Sequence, residues 1–69
     1  MSIPPVTMVI AFLNAHELSL EEVQDSEYLD NVLSNMEEMM DFEGGEEWRS
    51  NMTKEYQKYF FKKKLESIN

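Results

Sequence analysis

The stretch EEWRSNMTKEYQKYF, Glu46 to Phe60, decides the fold. Within it Trp48, Met52, Tyr56, Tyr59 and Phe60 recur at spacings of four, four, three and one. Placed at 100° per residue they cover an arc of about 120°, the width of one buried side of a helix. Phe61, Leu65 and Ile68 fall on a separate arc, about 130° from the edge of the first. The last helix is therefore expected to carry two apolar faces. The first belongs in the core. The second is open to three occupants: the N-terminal helix of the same chain, a second copy, or a different partner.

Outward from this stretch, Gly44-Gly45 is expected to end the preceding helix and turn the chain back, giving an antiparallel hairpin of the last two helices. Phe42, beside that turn, is placed to pack back on the helix end. The preceding helix shows Leu29, Val32, Leu33, Met36, Met39 and Met40 at helical intervals, with a cap available at Asp25-Ser26. Ser19-Leu20-Glu21-Glu22 has the pattern of a capping box, so a second helix is expected to begin there and to run on toward Gly44-Gly45, with Asp25-Ser26 as the point where it could be interrupted. Ser2-Ile3-Pro4-Pro5 reads as the start of a first helix running to about Ala15, because proline is tolerated where an N–H would have no intrahelical partner. Val6, Met8, Val9, Ile10, Phe12 and Leu13 leave that helix apolar nearly all round, the mark of an element buried on several sides. The β-branched residues in the same run also fit a short strand, which is the competing reading. The expected architecture is all-α: one domain over residues 1 to 69, a small three- to four-helix bundle.

Charge is sorted along the chain. Residues 1 to 47 hold twelve acids and no Lys or Arg, and residues 48 to 69 hold two acids and six bases, for a net charge of -8. Glu46-Glu47 at the start of the last helix and Lys62-Lys63-Lys64 near its end both complement the helix dipole, each stabilising by roughly 0.3 to 1 kcal/mol. In a hairpin, Lys58 and Lys62 to Lys64 are expected beside Asp25, Glu27 and Asp30, selecting the register more than stabilising it. Glu37, Glu38, Asp41, Glu43, Glu46 and Glu47 remain around the turn, with only Arg49 close in sequence to neutralise them. Four of these six lie where a helix C-terminus disfavours negative charge. The group reads either as a solvated acidic turn or as a surface for an electropositive partner.

The chemistry available is sparse. No cysteine is present, and His16 is the single histidine, which leaves no cluster for a structural zinc. His16 and Glu17 are adjacent and would diverge on a helix, so His16 is expected to help end the first helix. No Gly-rich phosphate loop, G-x-S-x-G or H-E-x-x-H occurs. Calcium-loop frames from Asp25 and Asp41 put Asp30 and Glu46 where glycine is needed, and Met36 and Met52 where the bidentate Glu is needed. Neither an enzymatic activity nor a cofactor is expected. The Asn51-Met52-Thr53 sequon is expected to be coincidental without a secretory signal. The apolar run from Val6 to Leu13 is far shorter than the roughly 20 residues of a membrane span, and the expected location is the cytoplasm.

Two functional readings follow. In the first, the protein is a small acidic interaction module, a regulator or inhibitor that binds a basic surface of a larger protein. Carboxylates replacing phosphates would make it a DNA mimic. The surface would combine Glu37, Glu38, Asp41, Glu43, Glu46 and Glu47 with an apolar patch of Phe61, Leu65 and Ile68. In the second, it is a structural or assembly subunit acting as a helical homodimer. Direct binding of nucleic acid through Tyr56, Tyr59, Phe60 and the nearby lysines is disfavoured, because the rings belong to a buried face and the net charge repels phosphate. Met36, Met39 and Met40 fit ordinary core, with an adaptable binding groove as the alternative.

Overall fold

The computed structural model describes residues 3–68, with the side chain of Ile68 outside the description, as is Ser2 at the expected helix start. Over these described residues the fold is all-α, a small bundle of four helices: α1 (Val6–Ala15), α2 (Leu20–Gln24), α3 (Ser26–Met40) and α4 (Gly45–Ile68).

Local chemistry accounts for most of the boundaries. Pro5 precedes α1 in an extended conformation, and its carbonyl accepts the N–H groups of Met8 and Val9. At the other end the His16 Nδ1–H donates to the Phe12 carbonyl at 2.9 Å, and the imidazole packs on the Phe12 ring. The capping box forms as read: Ser19 Oγ accepts from Glu22 N–H at 3.2 Å while Glu22 Oε1 accepts from Ser19 N–H at 2.8 Å. The Ser19 N–H is also the leading cause holding the Glu22 carboxyl below its ordinary range. Asp25 then caps α3, its Oδ1 accepting from Glu27 N–H and Tyr28 N–H, both at 3.1 Å.

The end of α3 departs from the sequence reading. The helix stops at Met40, ahead of the glycines, because Asp41 adopts a left-handed conformation with φ of 53°. Phe42 N–H then donates to Glu37 O and Asp41 N–H to Glu38 O, the paired bonds of a Schellman motif. Aspartate tolerates this conformation better than most residues with a Cβ. The motif swings Phe42 inward, where it is buried and meets Trp48 edge to face at 4.9 Å. Phe42 thus closes the core at the point where Met39 and Met40 were expected to, and both methionines are exposed. Gly44 has a steric role, since a Cβ there would lie 2.5 Å from Trp48 Cε3.

Val9, Leu13, Val23, Leu29, Val32, Leu33, Met36, Phe42 and Tyr56 form the core, with Trp48, Met52, Tyr59 and Phe60 packed against it. Each fully buried leucine in this set is worth about 1.5–3 kcal/mol relative to exposure. The aromatic stripe of α4 therefore does face inward. Helix α1 is not enclosed as its composition suggested: Val9 and Leu13 are buried, while Val6 and Met8 are exposed. Three other helices of this length cannot surround a fourth, so α1 lies on the bundle by one face. Asn14 ties it to α4, accepting from Tyr56 O–H at 2.9 Å and donating to Tyr59 Oη at 3.2 Å.

Contacts between α3 and α4 run in opposite orders along the two helices. Arg49 meets Glu37 and Asp30, and Gln57 reaches Ser26 Oγ and the Val23 carbonyl. Because Gln57 already lies beside the first residue of α3, the later turns of α4 have no α3 alongside. The 24 residues of α4 span about 36 Å at 1.5 Å per residue, close to the 41 Å long axis of the molecule. Its last turns overhang the bundle. This overturns the expected pairing of Lys58 and Lys62 to Lys64 with Asp25, Glu27 and Asp30: among the described residues the ion pairs are those of Arg49. Lys63 and Lys64 instead place their ammonium groups 5.9 Å and 5.5 Å from the centroids of the Tyr59 and Phe60 rings.

Candidate functional site

The bend between α3 and α4 gathers the acidic residues singled out in the sequence, and it divides them in two. Glu37 lies inside the fold. It sits four residues after Leu33 on the inward side of α3 and is 9% exposed. Its Oε2 accepts the N–H groups of Gly44 and Gly45 at 2.7 and 2.9 Å, and its Oε1 accepts from Arg49 Nη1 at 2.7 Å. Arg49 Nε donates to Asp30 Oδ1 at 2.8 Å. Burial alone would push the Glu37 carboxyl up, but the Gly45 and Gly44 N–H groups and the Arg49 guanidinium outweigh it and hold it below its ordinary value. Bonds to Asp30 and Glu37 raise the Arg49 guanidinium further.

Glu38, Asp41, Glu43, Glu46 and Glu47 are exposed on the outside of the same bend. Glu38, Asp41, Glu43 and Glu46, with Phe42, Ser34 and the edges of Glu37 and Arg49, line an open groove of about 590 Å³. Arg49, the cation closest to them in sequence, has turned inward to Asp30 and Glu37. The exterior of the bend is consequently a set of carboxylates without a cation partner among the described residues. No family model, curated protein or solved structure matches the chain.

The apolar candidates lie at the other end of α4. Phe61 is 38% exposed and Leu65 66% exposed, so the N-terminal helix does not cover them, and the side chain of Ile68 lies outside the described residues. Helix α1 has docked on the first aromatic arc through Tyr56 and Tyr59. Phe61 and Leu65 thus share the overhang with Lys62, Lys63 and Lys64, and are not part of the bend.

Arg49 and Asp30 were not singled out as a pair by the sequence reading, although their 19-residue separation is what a helix–bend–helix permits. The position of Glu37 on the Leu33 side of α3 was the signal that it points inward. Thr53 was also missed. Its hydroxyl is buried without a hydrogen-bond partner, at the edge of a cleft of about 310 Å³ lined with Ser26, Asp30, Ser50 and Lys54. Among the described residues no group of three or more His, Cys, Asp or Glu side chains is placed to hold a metal ion. Among the described residues no helix is long and apolar enough to cross a membrane.

Proposed function

We propose that the protein is a small acidic interaction module whose bend docks on an electropositive surface of a larger protein and regulates or inhibits it. One observation carries this reading: Arg49 is drawn inward by Glu37 and Asp30, which leaves the carboxylates of Glu38, Asp41, Glu43, Glu46 and Glu47 outward and uncompensated. A fold selected for stability alone gains nothing from negative charge at the C-terminus of α3, where the helix dipole opposes it. A partner bearing Lys or Arg turns that local cost into interface attraction and a faster encounter. In its narrowest form the reading is DNA mimicry, with the carboxylates occupying phosphate subsites of a nucleic-acid-binding protein in the cytoplasm. Binding is favoured over catalysis because His16 is engaged with the Phe12 carbonyl and no nucleophile–base pair lies in the groove.

The test is affinity capture from the source cell, with wild type and Glu43→Lys/Glu47→Lys as parallel baits, at low and raised ionic strength. A partner retained by wild type at low salt, and lost both with the double variant and with salt, supports the reading. A partner indifferent to both changes refutes it.

A further inference from the structure

A second groove lies on α4 at the end away from the bend. Tyr59 and Phe60 are half-buried there, and Lys63 and Lys64 follow one turn later with exposed side chains. Consecutive residues on a helix point about 100° apart, so two adjacent lysines ordinarily diverge into water. Here each ammonium group turns back over the ring four residues before it. Lys63 comes within 5.9 Å of the Tyr59 centroid and Lys64 within 5.5 Å of the Phe60 centroid. The rows Tyr59–Lys63–Ser67 and Phe60–Lys64 thus run side by side and, with Asn14 of α1, line a groove of about 420 Å³. Small-molecule sites span about 300–1,000 Å³.

What this groove offers a ligand is positive charge and hydrogen-bond donors beside aromatic carbon. Lys63 and Lys64 form no ion pair among the described residues, where both ion pairs belong to Arg49. Tyr59 Oη accepts from Asn14 Nδ2 at 3.2 Å, which leaves its own O–H to donate outward. Ser67 Oγ donates to the Lys64 carbonyl at 2.9 Å. Among the described residues that line the groove there is no carboxylate, in a chain with fourteen acids and six bases. The acids of the bend are remote: Glu47 and Lys63 are about 24 Å apart along the helix at 1.5 Å per residue, about three screening lengths at physiological salt.

We propose that this groove binds a small aromatic phosphate monoester. The phosphate lies between the Lys63 and Lys64 ammonium groups and the Tyr59 hydroxyl, and the aromatic body rests on the Tyr59 and Phe60 side chains. A phosphate monoester matches the donors, because it carries a charge of about −1.5 to −2 at neutral pH and three acceptor oxygens. A carboxylate, with a single charge, would balance only one of the two cations. A flat body matches the rings, which gain from stacking beyond the area they bury. An extended nucleic acid fits less well, since its further phosphates would leave the groove and meet a chain of net charge -8. Aryl phosphates and nucleoside monophosphates share the required chemistry. The inference is independent of the acidic bend and of the proposed function.

The test is a set of NMR titrations of the full chain at about pH 7.5, above the second phosphate pKa of about 6. Naphthyl phosphate and adenosine monophosphate are the ligands; naphthol supplies the body without the charge, and inorganic phosphate the charge without the body. At least one ester is expected to saturate with shifts centred on the groove, and to bind at least about tenfold more tightly than either control. The tighter ester identifies the body as aryl or nucleoside. Lys63→Gln/Lys64→Gln should weaken binding at least about tenfold by removing the charge-assisted bonds. Lys58→Gln/Lys62→Gln removes the same charge from exposed side chains that do not line the groove, and should leave the affinity within about threefold. Circular dichroism verifies that both variants remain helical. The proposal is overturned if neither ester saturates at ~10 mM, if a control binds as tightly as the better ester, if the two variants weaken binding equally, if the shifts centre elsewhere, or if an oligothymidylate outcompetes both esters.

Discussion

Replacing Glu37 by glutamine tests whether the bend is held by charge or merely by shape. The wild-type carboxylate makes three hydrogen bonds, to Gly44, Gly45 and Arg49, at 2.7, 2.9 and 2.7 Å. Bonds to a charged group contribute about 1.5–3 kcal/mol each, against about 0.5–1.5 kcal/mol for neutral pairs. The glutamine carbonyl oxygen can keep the two glycine N–H bonds at neutral strength, but its amide turns a donor toward the Arg49 donor. Glu37 and Arg49 both edge the open groove, and solvent screening there brings the expected net loss down to about 2–3 kcal/mol. A chain of 69 residues has a total stability of about 3.5–10 kcal/mol, so the midpoint of thermal unfolding should fall by about 10–20 °C. Urea titrations followed by the single Trp48, which packs on Phe42 within the bend, and by circular dichroism would measure the loss. Glu38→Gln is the matched control: exposed and without a partner, it should stay within about 0.5 kcal/mol of wild type. The pH dependence adds a signature. The Glu37 carboxyl is held below its ordinary 4.5 in the fold, so its stabilisation is fully present above that value and is lost as the pH falls through the lowered one. The gap between wild type and E37Q should therefore close on acidification from 4.5 downward. A loss at neutral pH no larger than that of E38Q, or a gap unchanged at low pH, would refute the reasoning.

Gly44→Ala should cost about 1–3 kcal/mol as overpacking, because the added Cβ lies 2.5 Å from Trp48 Cε3 and the indole must move; an unshifted Trp emission with unchanged stability would count against the close approach. Ser19→Ala removes the oxygen that accepts Glu22 N–H and should lower stability by about 1 kcal/mol in urea unfolding; no loss would show α2 to be held by packing alone. Tyr56→Phe deletes the donor to Asn14 Oδ1 and should cost about 0.5–1 kcal/mol, toward the low end for a hydrogen bond because the exposed Asn14 is rehydrated by water; a loss several times larger would mean that α1 is anchored chiefly by that bond.

What the sequence disclosed was set by range. The Ser19–Glu22 box, the Asp25 cap and the α4 stripe depend on residues within four positions of one another, and all three formed as read. The end of α3 did not, because glycine is the habitual terminator and the chain used Asp41 instead, a choice fixed by the gain from burying Phe42 against Trp48. Helix α1 was misjudged for a related reason: its composition reports how much apolar surface exists, not how many neighbours are available to cover it. The lysine pairing failed on length. Nothing local states that Gln57 will stand opposite Ser26, and once it does, the tail has run past the acids it was expected to meet. Of the candidate site, the position of the acids at the bend was legible, whereas the removal of Arg49 from the outer acids by the buried Glu37 required the fold.

That removal links stability to surface chemistry. Arg49 is the only one of the six bases that reaches the bend, and the fold commits it to Glu37, whose other oxygen pins the glycine N–H groups. Neutralising the outer carboxylates with Arg49 would unfasten the bend, so the molecule cannot have both a closed turn and a charge-balanced one. The surplus anions are therefore a consequence of how the turn is built, and they persist whenever the protein is folded.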